Sequence, residues 1–425
     1  MSVVDPEATA PAAVVAPAHR PAIDLVRAGA LVMVVLGHLS LAIIDRHPDG
    51  SLRGANALAL YPHLAWLSML APMPVFFCAA GWANTTASLR TAARRLRAIV
   101  GLGAVVVTVW SMASIIELLV VGHGDIVADG ARIATQPLWF LAAYVPFTAL
   151  GARLSRWAAR PVVAVGLCLT ALAALDIARC GFSAPKAIGW PGFFIAWGVP
   201  WLVGAWWRGA SEAGRLHELR TGTALAAGSL VAAVALVRFA GYHPGLIDAV
   251  PGQRSNTTPP TLYTAVAALA QVGVLMMAAH TLDRIGTRFH RLIDRAGQAA
   301  VGVYAWHLSA LALCAALLAA GVWAPERLSG WWWLSRPVWF ATVLGVTALF
   351  VAATSATRAR VSKRHKQGRR REPSPTAPAP AKVLVGVAAS TLGAGIVGLL
   401  GPRTLPTAVA GAACFLIGWV LLDPP

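Results

Sequence analysis

The residues with the clearest potential for chemistry are Arg27 and His38, which share one long apolar segment near the start of the chain. If this segment is helical, the eleven steps of about 100° between them place both side chains on one face, about 16.5 Å apart along the axis. Asp24 falls close to the same stripe. A histidine can accept and return a proton near neutral pH. The spacing therefore predicts a proton-transfer site with a cation on the same helix face.

The composition indicates the class of protein that must position these residues. Of 425 residues, 57% are hydrophobic and 12% are charged, whereas soluble domains carry roughly 25% charged residues. Lys and Arg outnumber Asp and Glu by 35 to 17, for a net charge of +18. These cations lie in short segments between long apolar runs, a pattern that indicates orientation in a membrane and contact with its lipids rather than nucleic-acid binding.

Hydropathy predicts twelve membrane-spanning helices, because about 20 mostly apolar residues are needed to cross the hydrocarbon core as a helix. The fold class is therefore an all-α integral membrane protein, with a bundle of about ten core helices and a C-terminal two-helix hairpin. The predicted spans are 23–44, 64–82, 98–121, 135–152, 161–177, 190–207, 223–240, 261–282, 298–320, 334–354, 383–400 and 407–422.

The charges of the connectors predict the orientation. Arginines concentrate in every even-numbered connector, including 90–97, 153–160 and 284–295, while the odd-numbered connectors hold one or two cations each. Short basic connectors stay in the cytoplasm. We therefore expect a multi-pass protein of the inner (plasma) membrane with both termini cytoplasmic. The polar outer connector 253–261 is a candidate entrance for a substrate, although turn chemistry explains its Asn and Pro residues equally well.

The chain divides into four predicted parts. Residues 1–22 form a disordered cytosolic leader, 23–355 the main transmembrane domain, 356–382 a basic and Pro/Ala-rich cytosolic linker, and 383–425 the hairpin. We expect the hairpin to be accessory, so that a chain ending near Thr354 keeps some activity. The five cysteines form no CxxC pair and no metal-type cluster with histidine, so neither a disulfide framework nor a metal site is expected.

In a membrane, Arg27 and His38 have both a functional and a structural interpretation. Ionisable groups are costly there and by default mark a functional site that faces the interior of the bundle. Taken alone, however, Arg27 is equally typical of an anchor that reaches the interface, and His38 of a hydrogen-bonded packing residue. Their position on one helix face favours the functional interpretation of both.

Several short motifs in order along the chain resemble the membrane acyltransferase 3 family of O-acyltransferases. The family opens with a helix of the form (L/I)DxxR followed by ten residues and a histidine, which Asp24, Arg27 and His38 match. MPVFFCAAGW at 73–82 is similar to its second-helix ending, except for Ala80 where the family usually has Ser. Three further stretches also resemble the family: the arginine-rich connector at 90–97, QPLWFLAAY at 136–144 and VYAWHLSAL at 303–311.

This resemblance implies transfer of an acyl group, commonly acetyl, from cytosolic acyl-CoA, a co-substrate rather than a bound cofactor. The acceptor would be a hydroxyl on a cell-envelope glycan, a lipid or a small metabolite. His38 would act as general base or carry the acyl group itself, and Arg27 would hold a phosphate or orient the thioester. The remaining assignments are Arg94, Arg95 and Arg97 to donor binding, and Asp24, His307 and Trp139 to the surroundings of the acceptor.

Two other functions fit parts of this pattern. Twelve helices with buried Arg and His also suit a secondary transporter or a lipid flippase, although transporters often show internal repeats with matching broken helices, which the two halves of this chain lack. The unrelated eukaryote-like membrane-bound O-acyltransferases also use a histidine in an apolar helix. The Arg-to-His spacing favours the acyltransferase 3 assignment over that one.

Overall fold

The computed structural model describes residues 20–46, 52–122, 126–182, 184–246, 255–319, 329–368 and 380–422. A short antiparallel ribbon, β1 (Ala42–Arg46) with β2 (Leu52–Asn56), follows the first helix. The helices of the described residues are α1 (Pro21–Leu41), α2 (Met73–Asn84), α3 (Leu89–Val121), α4 (Ile126–Thr135), α5 (Trp139–Ala158), α6 (Pro161–Gly181), α7 (Pro191–Ala210), α8 (Arg215–Phe239), α9 (Leu262–Arg288), α10 (His290–Ala319), α11 (Gly330–Leu334), α12 (Arg336–Gly368), α13 (Pro380–Leu399) and α14 (Leu405–Leu421).

Membrane-spanning helices account for most of the described chain. Eleven stretches are long and apolar enough to cross a bilayer, and α14 adds a twelfth apolar helix of 17 residues. At 1.5 Å per residue α14 is about 25 Å long, close to the hydrocarbon thickness of about 30 Å. These helices correspond to the twelve predicted segments, so the predicted all-α membrane bundle is confirmed.

The first predicted span extended too far, and the second, whose bounds are confirmed, is not a single α-helix. α1 ends at Leu41, and the β-branched Ile43 and Ile44 belong to β1 instead of continuing the helix. The second predicted span is not one α-helix, because a 3-10 segment, Pro62–Leu70, precedes α2. Proline lacks an N–H donor and favours the first turn of a helix. Pro72 and Pro74 accordingly mark the point at which the new helix starts.

The arginine-rich connector that we predicted before the third span is helical. α3 begins at Leu89, where the Ser88 hydroxyl accepts a hydrogen bond from the backbone N–H of Thr91. Arginine is a good helix former, and charge alone does not distinguish a loop from the end of a helix. The arginines of 90–97 therefore project from the first turns of a regular helix.

The start of α1 is fixed by an ion-pair network around Arg20. The Arg20 guanidinium lies 2.6 Å from a Glu218 carboxylate oxygen on α8 and 3.0 Å from Asp283 on α9, and it stacks on the rings of Trp82 and Trp207. Burial by itself would lower the pKa of Arg20. The hydrogen bonds and Coulombic attraction of its guanidinium to Glu218 and Asp283 outweigh this effect, so the pKa of Arg20 is raised. We call this end of the bundle the Arg20 face. α1 thus begins at Pro21, before the predicted end of the leader at residue 22, and residues 1–19 lie outside the described residues.

The core of the bundle depends on close contact between α2 and α7. A Cβ atom on Gly81 would overlap the backbone of Trp201, and one on Gly204 would overlap the backbone of Cys78. Glycine at these two positions allows the helix backbones to touch, as small residues do in membrane bundles. Beside this contact the rings of Phe77 and Trp197 stack with their centroids 5.2 Å apart. The MPVFFCAAGW motif therefore contributes to helix packing.

The C-terminal hairpin, α13 with α14, packs into the bundle against α3 and α5. Phe415 is fully buried, and the Thr135 hydroxyl donates a hydrogen bond to the carbonyl of Val397 at 3.2 Å. The end of the bundle away from the Arg20 face is called the opposite face. There, Arg403 in the turn of the hairpin lies 3.0 Å from the carboxylate of Asp129 on α4. The hairpin therefore makes apolar, hydrogen-bonded and ionic contacts with the domain that precedes the linker.

A polar network closes part of the opposite face. The buried carboxylate of Asp176 accepts a hydrogen bond from the Tyr242 hydroxyl at 2.8 Å. It also accepts one at 2.7 Å from the backbone N–H of Leu262, the first residue of α9. Burial, together with the charge of Asp176, raises the pKa of Tyr242. Asn256 is also buried and donates to the carbonyl of Gly245. Within the described residues, the connector that we considered as a substrate entrance is thus packed against the bundle.

The predicted orientation can be tested by thiol labelling of intact cells. Cys180 is exposed at the opposite face, so a protein that retains only this native cysteine should react with an impermeant maleimide. Cysteines introduced at Arg156 or Arg291 in a cysteine-free background should stay unlabelled until the cells are lysed, because both positions are exposed on the Arg20 face. The reverse pattern would show that the Arg20 face is external.

Candidate active site

The interior of the bundle contains a pair of histidines that are 269 residues apart in the sequence. His38 on α1 and His307 on α10 come together because these helices pack side by side. The Nδ1 atom of His38 lies 2.8 Å from the Nε2 atom of His307. The two ring planes differ by 12°, and the ring centroids are 5.1 Å apart. This geometry is that of two imidazoles joined edge to edge by a hydrogen bond.

The hydrogen bonds of this pair determine which nitrogen atoms carry protons when both rings are neutral. The Nδ1 atom of His307 lies 2.7 Å from the backbone carbonyl of Tyr304, which can only accept, so this nitrogen is the donor. The Nε2 atom of His307 therefore accepts, and the Nδ1 atom of His38 donates to it. The Nε2 atom of His38 is left with its lone pair, as a general base or a nucleophile requires.

An apolar cluster includes residues next to each histidine in the sequence. His307 has 0% of its surface exposed. Residues adjacent to the pair belong to one packed apolar cluster that joins three helices: Val35 and Leu39 of α1, Leu308 and Leu311 of α10, and Trp339 and Val343 of α12. Hydrogen bonds are electrostatically stronger in such a low-dielectric setting. The cluster therefore holds α1 and α10, the helices that carry the two rings, against each other and against α12.

A cavity of about 410 Å³ lies between the histidine pair and the Arg20 face. Its wall combines ionisable side chains near the Arg20 face with aromatic and aliphatic side chains deeper in the bundle. This volume is within the range of small-molecule sites, roughly 300–1,000 Å³. The lining residues are Asp24, Arg27, Ala28, Leu31, Phe76, Ile99, Leu102, Gly103, Leu138, Phe140, Leu141, Tyr144, Ile293, Asp294, Gly297, Gln298, Ala300, Val301, Tyr304 and Ala305.

Tyr304 connects the cavity to the histidine pair. Its side chain lines the cavity, and its ring centroid lies 5.7 Å from that of His307. The Tyr304 hydroxyl donates to the carbonyl of Pro137 at 2.8 Å, which fixes the ring. The backbone carbonyl of the same residue orients His307. A molecule that fills the cavity would therefore end one helical turn from the histidine pair.

Comparison with known proteins identifies the family. A family model described as an acyltransferase domain matches residues 20–356. The chain belongs to the membrane acyltransferase 3 family. No curated protein and no solved structure shows a significant match. The matched region contains the histidine pair and every residue that lines the cavity, and it stops before the hairpin.

In this acyltransferase, the predicted residues of α1 occupy two separate places. Asp24 and Arg27 line the cavity, with the Arg27 guanidinium 3.9 Å from the Asp24 carboxylate. His38 is not among the lining residues and pairs with His307 instead. The structure therefore brings His307 to His38, and it keeps Arg27 about 16.5 Å away from His38 along α1.

The three arginines assigned to the donor lie near the cavity but do not line it. Arg94 and Arg95 are exposed on the first turns of α3, and Arg95 donates to the side chain of Asn84 at 3.3 Å. Arg95 precedes Ile99, a lining residue, by four positions, so both face the same side of α3. Arg97 instead stacks on Trp419 of the hairpin, 5.4 Å from the ring centroid.

Trp139 packs in the aromatic core rather than in the cavity wall. Its ring lies 5.5 Å from Trp197 and 6.0 Å from Phe193, between centroids. Its backbone is so close to Gly398 of α13 that a Cβ atom there would come within 2.5 Å of the Trp139 nitrogen. The neighbouring Leu138 and the residues after Trp139 line the cavity instead.

Sequence reasoning missed the contribution of the first half of α10. Asp294 and Gln298 line the cavity, but they fell at or before the predicted start of that span. A signal was present, because Asp294, Gln298, Val301 and Ala305 recur at intervals of four, three and four residues and so share one helix face. Tyr304 was part of a recognised motif, and its contact with the histidine was not predicted.

Proposed function

We propose that this acyltransferase moves an acyl group, most simply acetyl, from cytosolic acyl-CoA to a hydroxyl of a cell-envelope glycan, lipid or small molecule. The observation that carries the proposal is the His38–His307 pair, whose hydrogen bonds leave a free Nε2 lone pair on His38. The adjoining cavity, open to Arg27 and close to the basic start of α3, supplies a place for the donor.

The charges around the cavity suggest how acyl-CoA binds. CoA has a polyanionic nucleotide end and a neutral, amide-rich arm that carries the thioester. Asp24 and Asp294 would repel phosphates inside the cavity, whereas Arg94 and Arg95 outside it attract them. The nucleotide therefore stays at the Arg20 face, and the arm enters the cavity past Arg27 with its acyl end toward Tyr304.

The chemical step follows from the free Nε2 atom of His38. This atom takes the proton of the acceptor hydroxyl while the hydroxyl oxygen bonds to the thioester carbonyl carbon. The carbon–sulfur bond then breaks, and the departing thiolate of CoA takes the proton from the imidazolium. His307 holds His38 in the required tautomer and stabilises the cation, as the third member of a catalytic triad does.

A two-step variant of this chemistry is also compatible with the free Nε2 atom. His38 would attack the thioester carbonyl itself, release CoA, and carry the acyl group as an acyl-imidazole until a hydroxyl takes it. Rapid quenching with radiolabelled acetyl-CoA in the absence of acceptor distinguishes the routes, because only the two-step route labels the protein.

The position of His38 favours an acceptor that arrives from the opposite face. His38 lies seventeen residues into α1, about 26 Å from its start at the Arg20 face. With the Arg20 face in the cytoplasm, the donor is bound on the cytosolic side and the acceptor hydroxyl reaches His38 from the external side. We therefore propose that the two substrates use separate entrances.

The proposal predicts a specific kinetic defect for Arg27→Ala. Loss of a cation that orients the donor should raise the apparent KM for acetyl-CoA by about tenfold and also slow turnover. Release of the CoA thiol by the purified protein in nanodiscs, with an envelope extract as acceptor, measures both. Arg153→Ala is the matched control, because Arg153 is exposed near the same face and does not line the cavity. Equal kinetics of the two variants would remove Arg27 from the donor site.

A further inference from the structure

The C-terminal hairpin completes the wall of the cavity at one point. Gly103 of α3 lines the cavity and has no side chain. A Cβ atom at this position would lie 2.7 Å from the Cε1 atom of Phe415 on α14, so the Phe415 ring occupies the space that a side chain at position 103 would fill. The ring is fully buried. A residue of the hairpin, and not a side chain of α3, therefore closes the wall beside Gly103.

This part of the wall lies at the deep end of the cavity. Gly103 comes fourteen residues after the start of α3, and Tyr304 fourteen residues after the start of α10. Each therefore lies about 21 Å along a helix that begins at the Arg20 face. The hairpin also covers this end at a second point, where Gly398 contacts the backbone of Trp139, next to the lining residue Leu138. In the proposed reaction the acyl group of the donor points toward this same end.

The Phe415 ring is held from two sides. One edge faces Gly103, and on the other side a Cβ atom at Gly393 of α13 would lie 3.0 Å from the Cδ2 atom of the ring. Phe415 also belongs to the packed cluster that contains Leu138 and Tyr304. In such a close-packed interior, a change in volume of even one methylene group affects the neighbouring side chains. The size of the side chain at position 415 therefore sets the position of the wall beside Gly103.

A wall at this place acts on the length of the acyl group. A hydrophobic pocket distinguishes ligands that differ by one methylene group by roughly 10- to 200-fold. We propose that Phe415 determines which acyl groups the protein accepts, because its ring closes the acyl end of the donor cavity and disfavours chains longer than acetyl. This inference rests on the proposed acyl transfer. The family match ends at residue 356, so this determinant of specificity lies outside the matched region.

The preference between two donors tests the inference. Phe415→Ala removes the ring and leaves an apolar void beside Gly103, and apolar voids of this kind accept apolar ligands. We expect the ratio of kcat/KM for butyryl-CoA to that for acetyl-CoA to rise by about tenfold or more. Release of the CoA thiol by the full-length protein in nanodiscs measures both values. Their ratio within one preparation does not depend on the fraction of protein that is folded.

Leu422→Ala is the matched control for loss of a buried side chain. Leu422 is also fully buried in the hairpin and lies seven residues, about 10 Å, farther along α14 toward the Arg20 face. This variant should keep the wild-type ratio. A rise equal to that of Phe415→Ala would overturn the inference, because a general loosening of the hairpin would then explain both results.

Two further variants complete the test. If Phe415→Ala does not fold, Phe415→Leu leaves a smaller gap and should give a smaller rise in the same ratio. Adding Gly103→Ala to Phe415→Ala places a methyl group in the vacated space and should return the ratio toward that of the wild type. Equal ratios in the wild type and in a folded Phe415 variant would overturn the inference.

The same donors distinguish failure of this inference from failure of the proposed function. Normal acetyl transfer with an unchanged ratio in every Phe415 variant would overturn the inference and leave the proposed reaction standing. Equilibrium binding of butyryl-CoA and acetyl-CoA provides the second measurement. A Phe415-dependent change in their relative affinities, in a protein that transfers neither acyl group, would refute the proposed reaction and support the assignment of Phe415.

Discussion

His38→Ala is expected to lower acyl transfer by roughly 10²- to 10⁴-fold, the usual contribution of a general base, while acyl-CoA binding changes little. The free Nε2 atom of His38 is the base in the proposed step, and the donor cavity does not include this residue. His307→Ala should have an effect of similar order, because the hydrogen bond that keeps the Nε2 atom of His38 unprotonated would be lost. Steady-state transfer and equilibrium acyl-CoA binding by purified variants measure the two effects separately.

The double variant provides the sharper test of this pair. Two residues that act as one unit give losses that are far from additive, so His38→Ala/His307→Ala should be little worse than either single variant. His280→Ala is the matched control, since His280 is exposed on α9 away from the pair. Near-normal transfer by well-folded His38→Ala protein would remove His38 from the mechanism. If neither histidine mattered, a transporter or flippase function would have to be tested next.

Removal of the hairpin is expected to abolish activity. A chain that ends at Thr354 loses the fully buried Phe415, the Thr135 to Val397 hydrogen bond and the ion pair of Arg403 with Asp129. Truncation of one buried aromatic side chain alone typically costs about 3–5 kcal/mol. We expect the truncated protein to be inactive and less stable, as measured by CoA release and by thermal unfolding in detergent.

Two glycine variants test whether the contact between the hairpin and the bundle, rather than the mere presence of the hairpin, is needed for activity and stability. Gly398→Leu places a side chain against the backbone of Trp139, and such overpacking typically costs about 1–3 kcal/mol. Gly395→Leu, one turn away on the same helix, has open space around it and should behave like the wild type. Equal activity and stability of both variants, or full activity of the truncated chain, would show that the hairpin is accessory.

The sequence alone did not predict the place of the hairpin. We expected an accessory element because the basic and Pro/Ala-rich segment 356–382 resembles a linker, and the family match also stops at residue 356. The composition of a linker describes only that segment. The composition of the linker does not indicate which surfaces the following helices contact. In the structure, Phe415 and Trp419 pack against α3 close to the cavity wall.

The sequence by itself determined the membrane class, the number of apolar helices and the family. These depend on local quantities, because each helix in lipid must satisfy its own backbone and must be apolar along its whole length. The placement of Asp24, Arg27 and His38 on one helix face could also be predicted, because helical periodicity relates residues within one segment. The connector charges likewise predicted an orientation, which labelling will test.

Only the tertiary structure decided what those residues face. His38 contacts His307, which is 269 residues away in the sequence, and Arg27 lines a cavity to which α10 also contributes. Such contacts arise from the packing of whole helices, and glycines such as Gly81 set how closely those helices approach. Helical periodicity defines the face of each helix but not its partner. The hydrogen bond that frees the Nε2 atom of His38, and with it the proposed chemistry, therefore exists only once α1 and α10 are packed together.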